Sequence, residues 1–303
     1  MRPPSIPTSV LFAALLGAGC DDDSVPPAAP ADAGTLFTVR GVAQKGPFKF
    51  GSAVTVQELE SDLAPNGRTF ITETSDDLGT FVLPSRLSAP LLEIIIDGYY
   101  YDEWWGTTPG GAPAPLERLP LRALFSAQGS ADAGVLAVNV NLLTHLQLPR
   151  QRALLAQGQT FEAADSQSRR EILAAFRIPE TATQSFLKLN IADAGDANAV
   201  LLAVSLTLLS LPSLVAANAS SVFSVSEIVA RARDDLKDGV LDNASLVAWI
   251  SDTQRTQLVP QADRIERQLR DYYGARGVTI TVPPWRDFID SNGNGTVDRF
   301  DPK

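Results

Sequence analysis

The last stretch of the chain, Asp290-Ser-Asn-Gly-Asn-Gly-Thr-Val-Asp-Arg-Phe-Asp301, spaces oxygen-bearing side chains at near-alternate positions. A loop that wraps calcium needs side-chain oxygens at positions 1, 3, 5, 9 and 12, a carbonyl at 7 and glycine at 6 for the sharp turn. Counted from Asp290, the side-chain positions hold Asp290, Asn292, Asn294, Asp298 and Asp301, while Thr296 offers the carbonyl and Gly295 the turn. Val297 would be an apolar peg pointing inward. The chain has one histidine, His145, and one cysteine, Cys20. An intrachain disulfide, a cysteine-based zinc site and a two-histidine metalloprotease site are therefore excluded. His145 stands in the apolar run Asn-Leu-Leu-Thr-His-Leu-Gln-Leu, which reads as a core residue or cap rather than a catalyst. Ser185 and Lys188 have a Ser-x-x-Lys spacing without the companion elements of that chemistry. With no nucleophile elbow, phosphate loop or dinucleotide fingerprint, the expectation is a protein without catalysis.

The whole chain fits that expectation. It has 303 residues, 45% hydrophobic and 20% charged, enough for sizeable cores. A net charge of −10, with basic residues scattered, argues against nucleic acid as a partner. The first residues have a positive start at Arg2, an apolar run from Val10 to Leu16 and then small residues. That is the build of a secretory leader, and the run is too short to span a bilayer.

Leu16-Gly-Ala-Gly-Cys20 resembles the lipobox of bacterial lipoproteins. The resemblance implies a leader over 1–19 that is removed, and a lipid-modified Cys20 that attaches the protein to a membrane of the cell envelope. Several acyl chains anchor stably where one chain alone does not. Residues 20–34, rich in Asp, Pro and Ala without periodicity, read as a tether.

From Thr35 the hydrophobic period becomes two. Short runs rich in Val, Ile, Thr, Phe and Tyr, separated by turn clusters, predict an antiparallel β-sandwich over 35–115, with Val54 and Val56 inward and Thr55 and Gln57 outward. Gly-Val-Ala-Gln-Lys-Gly46, the Asp-Asp-Leu-Gly79 turn and Ile-Ile-Ile-Asp-Gly98 resemble the carboxypeptidase-regulatory-like, or prealbumin-like, sandwich of bacterial surface proteins. Such modules serve as spacers, binding platforms or folding aids. Tyr99, Tyr100, Tyr101, Trp104 and Trp105 crowd one stretch at its end. Rings on a strand end close a core or pack on the next element; the alternative is an aromatic shelf for stacking on sugar rings, hence a polysaccharide partner.

Residues 116–282 predict a mostly helical, bundle-like domain of four to six helices, making the fold class α+β. A helix is expected to start within Val135–Leu146. Another covers Thr160–Phe176, with Phe161, Ala164, Ser168, Ile172 and Phe176 on one face and a stop at Pro179. Ala199–Ala217 carries no charge, so a membrane span is weighed there, but Ser205, Thr207, Ser210 and Pro212 favour a core helix ending at Pro212. Ser224 and Glu227 form a capping box, Gly239 is a stop, and Asp242 or Asn243 caps the next helix. Ile265, Leu269 and Tyr272 or Tyr273 give the last helix its inward face. This layout is similar to that of bacterial surface lipoproteins.

Residues 283–303 form the tail with the loop. It resembles the EF-hand-like calcium loops of dockerins and thrombospondin type 3 repeats, which accept Asp at the final position. Three carboxylates with amides elsewhere imply weak affinity, about 10⁻⁴–10⁻³ M, and a structural metal. The expected function is that of a lipid-anchored envelope protein that binds or scaffolds another protein. A carbohydrate-binding lipoprotein using Tyr99–Trp105 and a carboxylate-dependent envelope hydrolase are the alternatives.

Overall fold

The computed structural model describes residues 34–106, 117–127, 131–132, 134–182, 185–218 and 223–301. The leader, Cys20 and the tether up to residue 33 lie outside the described residues.

Two sheets form the first half. In one, β1 (Thr35–Gln44) pairs antiparallel with β4 (Thr80–Leu87), Val39 facing Leu83. Its other side takes β8 (Val135–Ala137) and β9 (Val140–Asn141) in parallel, and β7 (Ala131–Asp132) pairs with β8. The second sheet has the order β3 (Pro65–Glu73), β2 (Ala53–Leu59), β5 (Leu91–Tyr99), β6 (Arg118–Ser126), all antiparallel. Val54 faces Ile96 and Val56 faces Ile94, all four buried, while Thr55 and Gln57 are half-exposed. This is the expected alternation, since successive side chains point to opposite faces.

Four strands, β6 to β9, fall in the stretch from residue 116 that the sequence predicts to be helical. Val135–Ala137 and Val140–Asn141 extend along the free edge of β1 before any helix begins. Asn141 then starts helix α1 (Leu142–Ala156): its side chain accepts from the Thr144 N–H, and the Thr144 hydroxyl accepts from the Asn141 N–H. The alternating Val-x-Val was strand, and the cap marks where the period changes.

The α+β class holds, with strands first and helices after. Packing, however, does not break near residue 115. Strands β6, β8 and β9 complete the two sheets from beyond that point, and one apolar core runs from Val39 through the helices to Val297. The described residues from Gly34 onward cluster as one compact unit.

Helix α2 (Phe161–Ala175) buries Ala164, Ser168, Ile172 and Leu173. Helix α3 (Asp196–Asn218) is the centre of the helical half, with Ala199 through Leu211 all buried. Its hydroxyls are satisfied locally or across the core: Thr207 and Ser210 bond back one turn, and Ser205 donates to the Lys45 carbonyl at 2.5 Å. The helix continues through Pro212, where the sequence predicted its end. A proline removes one backbone bond without forbidding helix, and the fully buried turn around Leu208, Leu209 and Leu211 outweighs that loss. Among the described residues no helix is long and apolar enough to cross a membrane.

Helix α4 (Val225–Asp235) begins at the Ser224–Glu227 capping box, and a short turn after it ends at Gly239 with φ of +97°. Helix α5 (Ala244–Thr253), capped by Asn243, runs through a π-helical turn at Gln254–Leu258 into α6 (Val259–Gly274). Ile265, Leu269, Tyr272 and Tyr273 face inward on α6. A 3₁₀ turn, Trp285–Phe288, then packs against α3 and delivers the chain to the loop.

Candidate functional site

The loop Asp290–Asp301 is built around one buried carboxylate. Asp290, only 1% exposed, accepts at Oδ1 from the N–H groups of Gly293 and Asn294 and at Oδ2 from that of Gly295. Gly293 and Gly295 have φ of +78° and +91°, the left-handed conformation that turns their amides onto it. Asn292 Oδ1 accepts from the Asn294 N–H, and Asn294 Oδ1 from the Thr296 N–H, so each donor side chain is held by a local turn. Asp298 closes the loop: its N–H donates to the Ile289 carbonyl at 2.9 Å, and its Oδ1 accepts from the Ser291 N–H. Val297 is buried in the common core, as its peg position predicts.

Position 12 meets positions 3 and 5. Asp301 accepts from the amide nitrogens of Asn292 at 2.7 Å and Asn294 at 2.9 Å. With their Oδ1 atoms on the Asn294 and Thr296 N–H groups, both amides turn their donors towards Asp301. A hard divalent cation held by oxygens of Asp290, Asn292, Asn294, the Thr296 carbonyl, Asp298 and Asp301 would require these amides to turn over and give up those turn bonds. That donor set relies on amides and a backbone oxygen: among the described residues no three acids, histidines or cysteines are grouped to hold a metal by themselves.

Two residues far away in sequence complete the setting, and the sequence reading missed both. Arg177, just past α2, donates to Asp290 Oδ2 at 2.8 Å. It has φ of +60°, unusual for a residue with a side chain. Gln254, in the π-helical turn, accepts from the Asp290 N–H and donates to Thr207 of α3. The extra residue of that turn is a local signal that a side chain is being aimed. At the far end Arg299 pairs with Asp287 and with Asp196 at the start of α3. The loop is thus fastened to α2, α3 and the α5–α6 junction, with one opposing feature: a guanidinium already neutralises part of Asp290.

The five aromatics do not share one surface. Tyr101 is buried and stacks on Tyr272 of α6, ring centroids 3.8 Å apart, while its hydroxyl donates to the Gln268 carbonyl. Trp104 is buried beneath the Arg264 guanidinium. Tyr100 is half-buried, and only Tyr99 and Trp105 are exposed. Tyr101 and Trp104 dock the segment after β5 onto α6, while Tyr100 packs near Phe48.

Beside these rings lies a pair with no sequence signal. Lys45 Nζ and Glu103 Oε2 are 3.6 Å apart, both side chains fully buried, with Lys45 Nζ 4.3 Å from the Tyr100 ring centroid. None of the Lys45 Nζ, Glu103 Oε1 and Oε2 atoms has a hydrogen-bond partner. Burial pushes the Lys45 amine down and the Glu103 carboxyl up to about 8, each opposed by the other's charge. His145 is also buried, and burial with the nearby Arg233 and Arg122 guanidiniums pushes its imidazole down to about 3. Ser185 is half-buried and Lys188 exposed, on a 3₁₀ turn.

Compared with known proteins, the chain matches no family model, and no curated protein or solved structure is significantly similar to it.

Proposed function

We propose that this chain is a lipid-anchored protein of the bacterial cell envelope that binds or scaffolds a partner without catalysis, its C-terminal loop being a structural calcium site. The observation that carries the calcium reading is the meeting of Asp301 with Asn292 and Asn294 in a loop whose first residue, Asp290, is held by three backbone N–H groups. Calcium in that loop would offset the charge of Asp290, Asp298 and Asp301. Since Val297 and Ile289 belong to the core, it would stiffen the attachment of the tail to α3. Arg177 on Asp290 favours weak affinity, suited to a compartment where calcium is abundant. The anchor reading is supported by Cys20, the one cysteine, standing after the apolar leader.

Titration calorimetry with calcium chloride on the full chain and on Asp290→Ala tests the first part; identical heats from the two would end it. Mass spectrometry of the native protein tests the second: residue 20 found as a bare thiol behind an intact Met1 would end it.

A further inference from the structure

The loop contains two asparagine–glycine pairs, Asn292-Gly293 and Asn294-Gly295, and a third stands at Asn66-Gly67. Glycine has no Cβ to obstruct its own nitrogen, so that nitrogen can reach the preceding side chain. On losing its proton it adds to the asparagine Cγ. The side-chain nitrogen takes up a proton and leaves as ammonia, closing a cyclic imide. Water then opens either carbonyl of the imide, and the residue becomes aspartate or isoaspartate.

Asn292, Gly293, Asn294 and Gly295 are all exposed, so water reaches them, yet their reacting atoms are engaged. Both nucleophiles donate to one buried carboxylate: Gly293 N–H to Asp290 Oδ1 at 2.7 Å and Gly295 N–H to Asp290 Oδ2 at 2.9 Å. Each asparagine Oδ1 accepts from the N–H two residues on, and each Nδ2 donates to Asp301. Asn66 has the same two restraints, from the Arg68 N–H and from Glu58, but its glycine N–H does not donate to Asp290. What distinguishes the loop pairs is therefore Asp290. A carboxylate is too weak a base to take an amide proton. Its charge instead opposes the nitrogen anion that must form beside it. Meeting that repulsion, or first giving up the charged hydrogen bond, slows the step by about tenfold or more.

We infer that Asn292 and Asn294 are paired deamidation sites, held unreacted while Asp290 grips the loop and converted when that grip is lost. The grip is tertiary, since Gln254 and Arg177 fix Asp290 in turn. Each conversion replaces a donor to Asp301 with a carboxylate, so a loop once released does not regain the same contacts.

The full chain, kept in mildly alkaline buffer with a chelator, tests this by peptide mapping in the mass spectrometer, which follows exchange of the amide –NH₂ for –OH at each site. Asn292 and Asn294 should convert at least about tenfold more slowly than in the same chain unfolded in urea. Asp290→Ala should accelerate both by at least about tenfold while leaving Asn66 unchanged, and Asp290→Asn, which keeps an acceptor without the charge, should fall between. Loop asparagines that convert as fast folded as unfolded would overturn the inference. So would rates unmoved by Asp290→Ala, or Asn66 accelerating in step with the loop, which would mark a general loosening of the fold.

Discussion

Replacing Asp290 by Ala in the presence of a chelator isolates what its carboxylate does for the apo fold. Three backbone N–H groups lose their acceptor, and hydrogen bonds to a charged group contribute about 1.5–3 kcal/mol each. The loop tip is open to water, which can replace part of that, so about 1 kcal/mol each is the better figure. The Arg177 pair adds less than about 1 kcal/mol, because that guanidinium is 40% exposed and screened. The sum is roughly 3–4 kcal/mol, a large share of the 5–15 kcal/mol that ordinarily separates folded from unfolded domains. Phe288, Ile289 and Val297 sit in the common core, so losing the loop exposes core surface rather than a free end. Urea titration followed by tryptophan fluorescence is the assay, since fully buried Trp285 lies just before the loop. The expected result is a lower midpoint, with red-shifted emission preceding the main transition. Asp290→Asn, which keeps one acceptor oxygen, should fall between. A midpoint within about 0.5 kcal/mol of the parent, with unshifted emission, would refute the reasoning, since that is the size of an ordinary surface change.

Three further outcomes follow from the same structure. Arg177→Gln removes the cation touching Asp290 and should raise calcium affinity about fivefold, the low end of a contact-distance charge effect; calorimetry showing no gain would count against a metal in this loop. Glu103, pushed up to about 8 by burial, is mostly uncharged at pH 7, so Glu103→Gln should move stability there by less than about 1 kcal/mol; urea midpoints showing a loss of roughly 3–5 kcal/mol, the cost of breaking a charged buried pair, would contradict this. His145, whose folded value near 3 lies below the ordinary 6.5, contributes stability that is present above pH 6.5 and lost as pH falls towards 3. Between pH 6.5 and 5.5 that loss is roughly 1 kcal/mol, and His145→Gln should remove it from the slope over that unit; parallel slopes would show the imidazole to be solvated.

Whatever depended on neighbours within one turn or one strand was legible in the residues themselves. The spacing of Asp290, Asn292, Asn294 and Asp301 foretold side chains that meet, because a loop with glycines at Gly293 and Gly295 bends them together locally. The inward positions of β2, the Ser224–Glu227 cap and the inner face of α6 were equally local, set by period and by side chains bonding their own backbone. Tertiary structure decided the rest. Arg177 reaches Asp290 across 113 residues, β1 takes parallel partners from residues 135–141, Tyr101 and Trp104 turn towards α6, and Lys45 finds Glu103. None of these leaves a mark in its own neighbourhood of the chain. Each depends on which distant surface the collapsing core brings alongside, and burial, charge and hydrogen bonding act on that surface only after it has arrived.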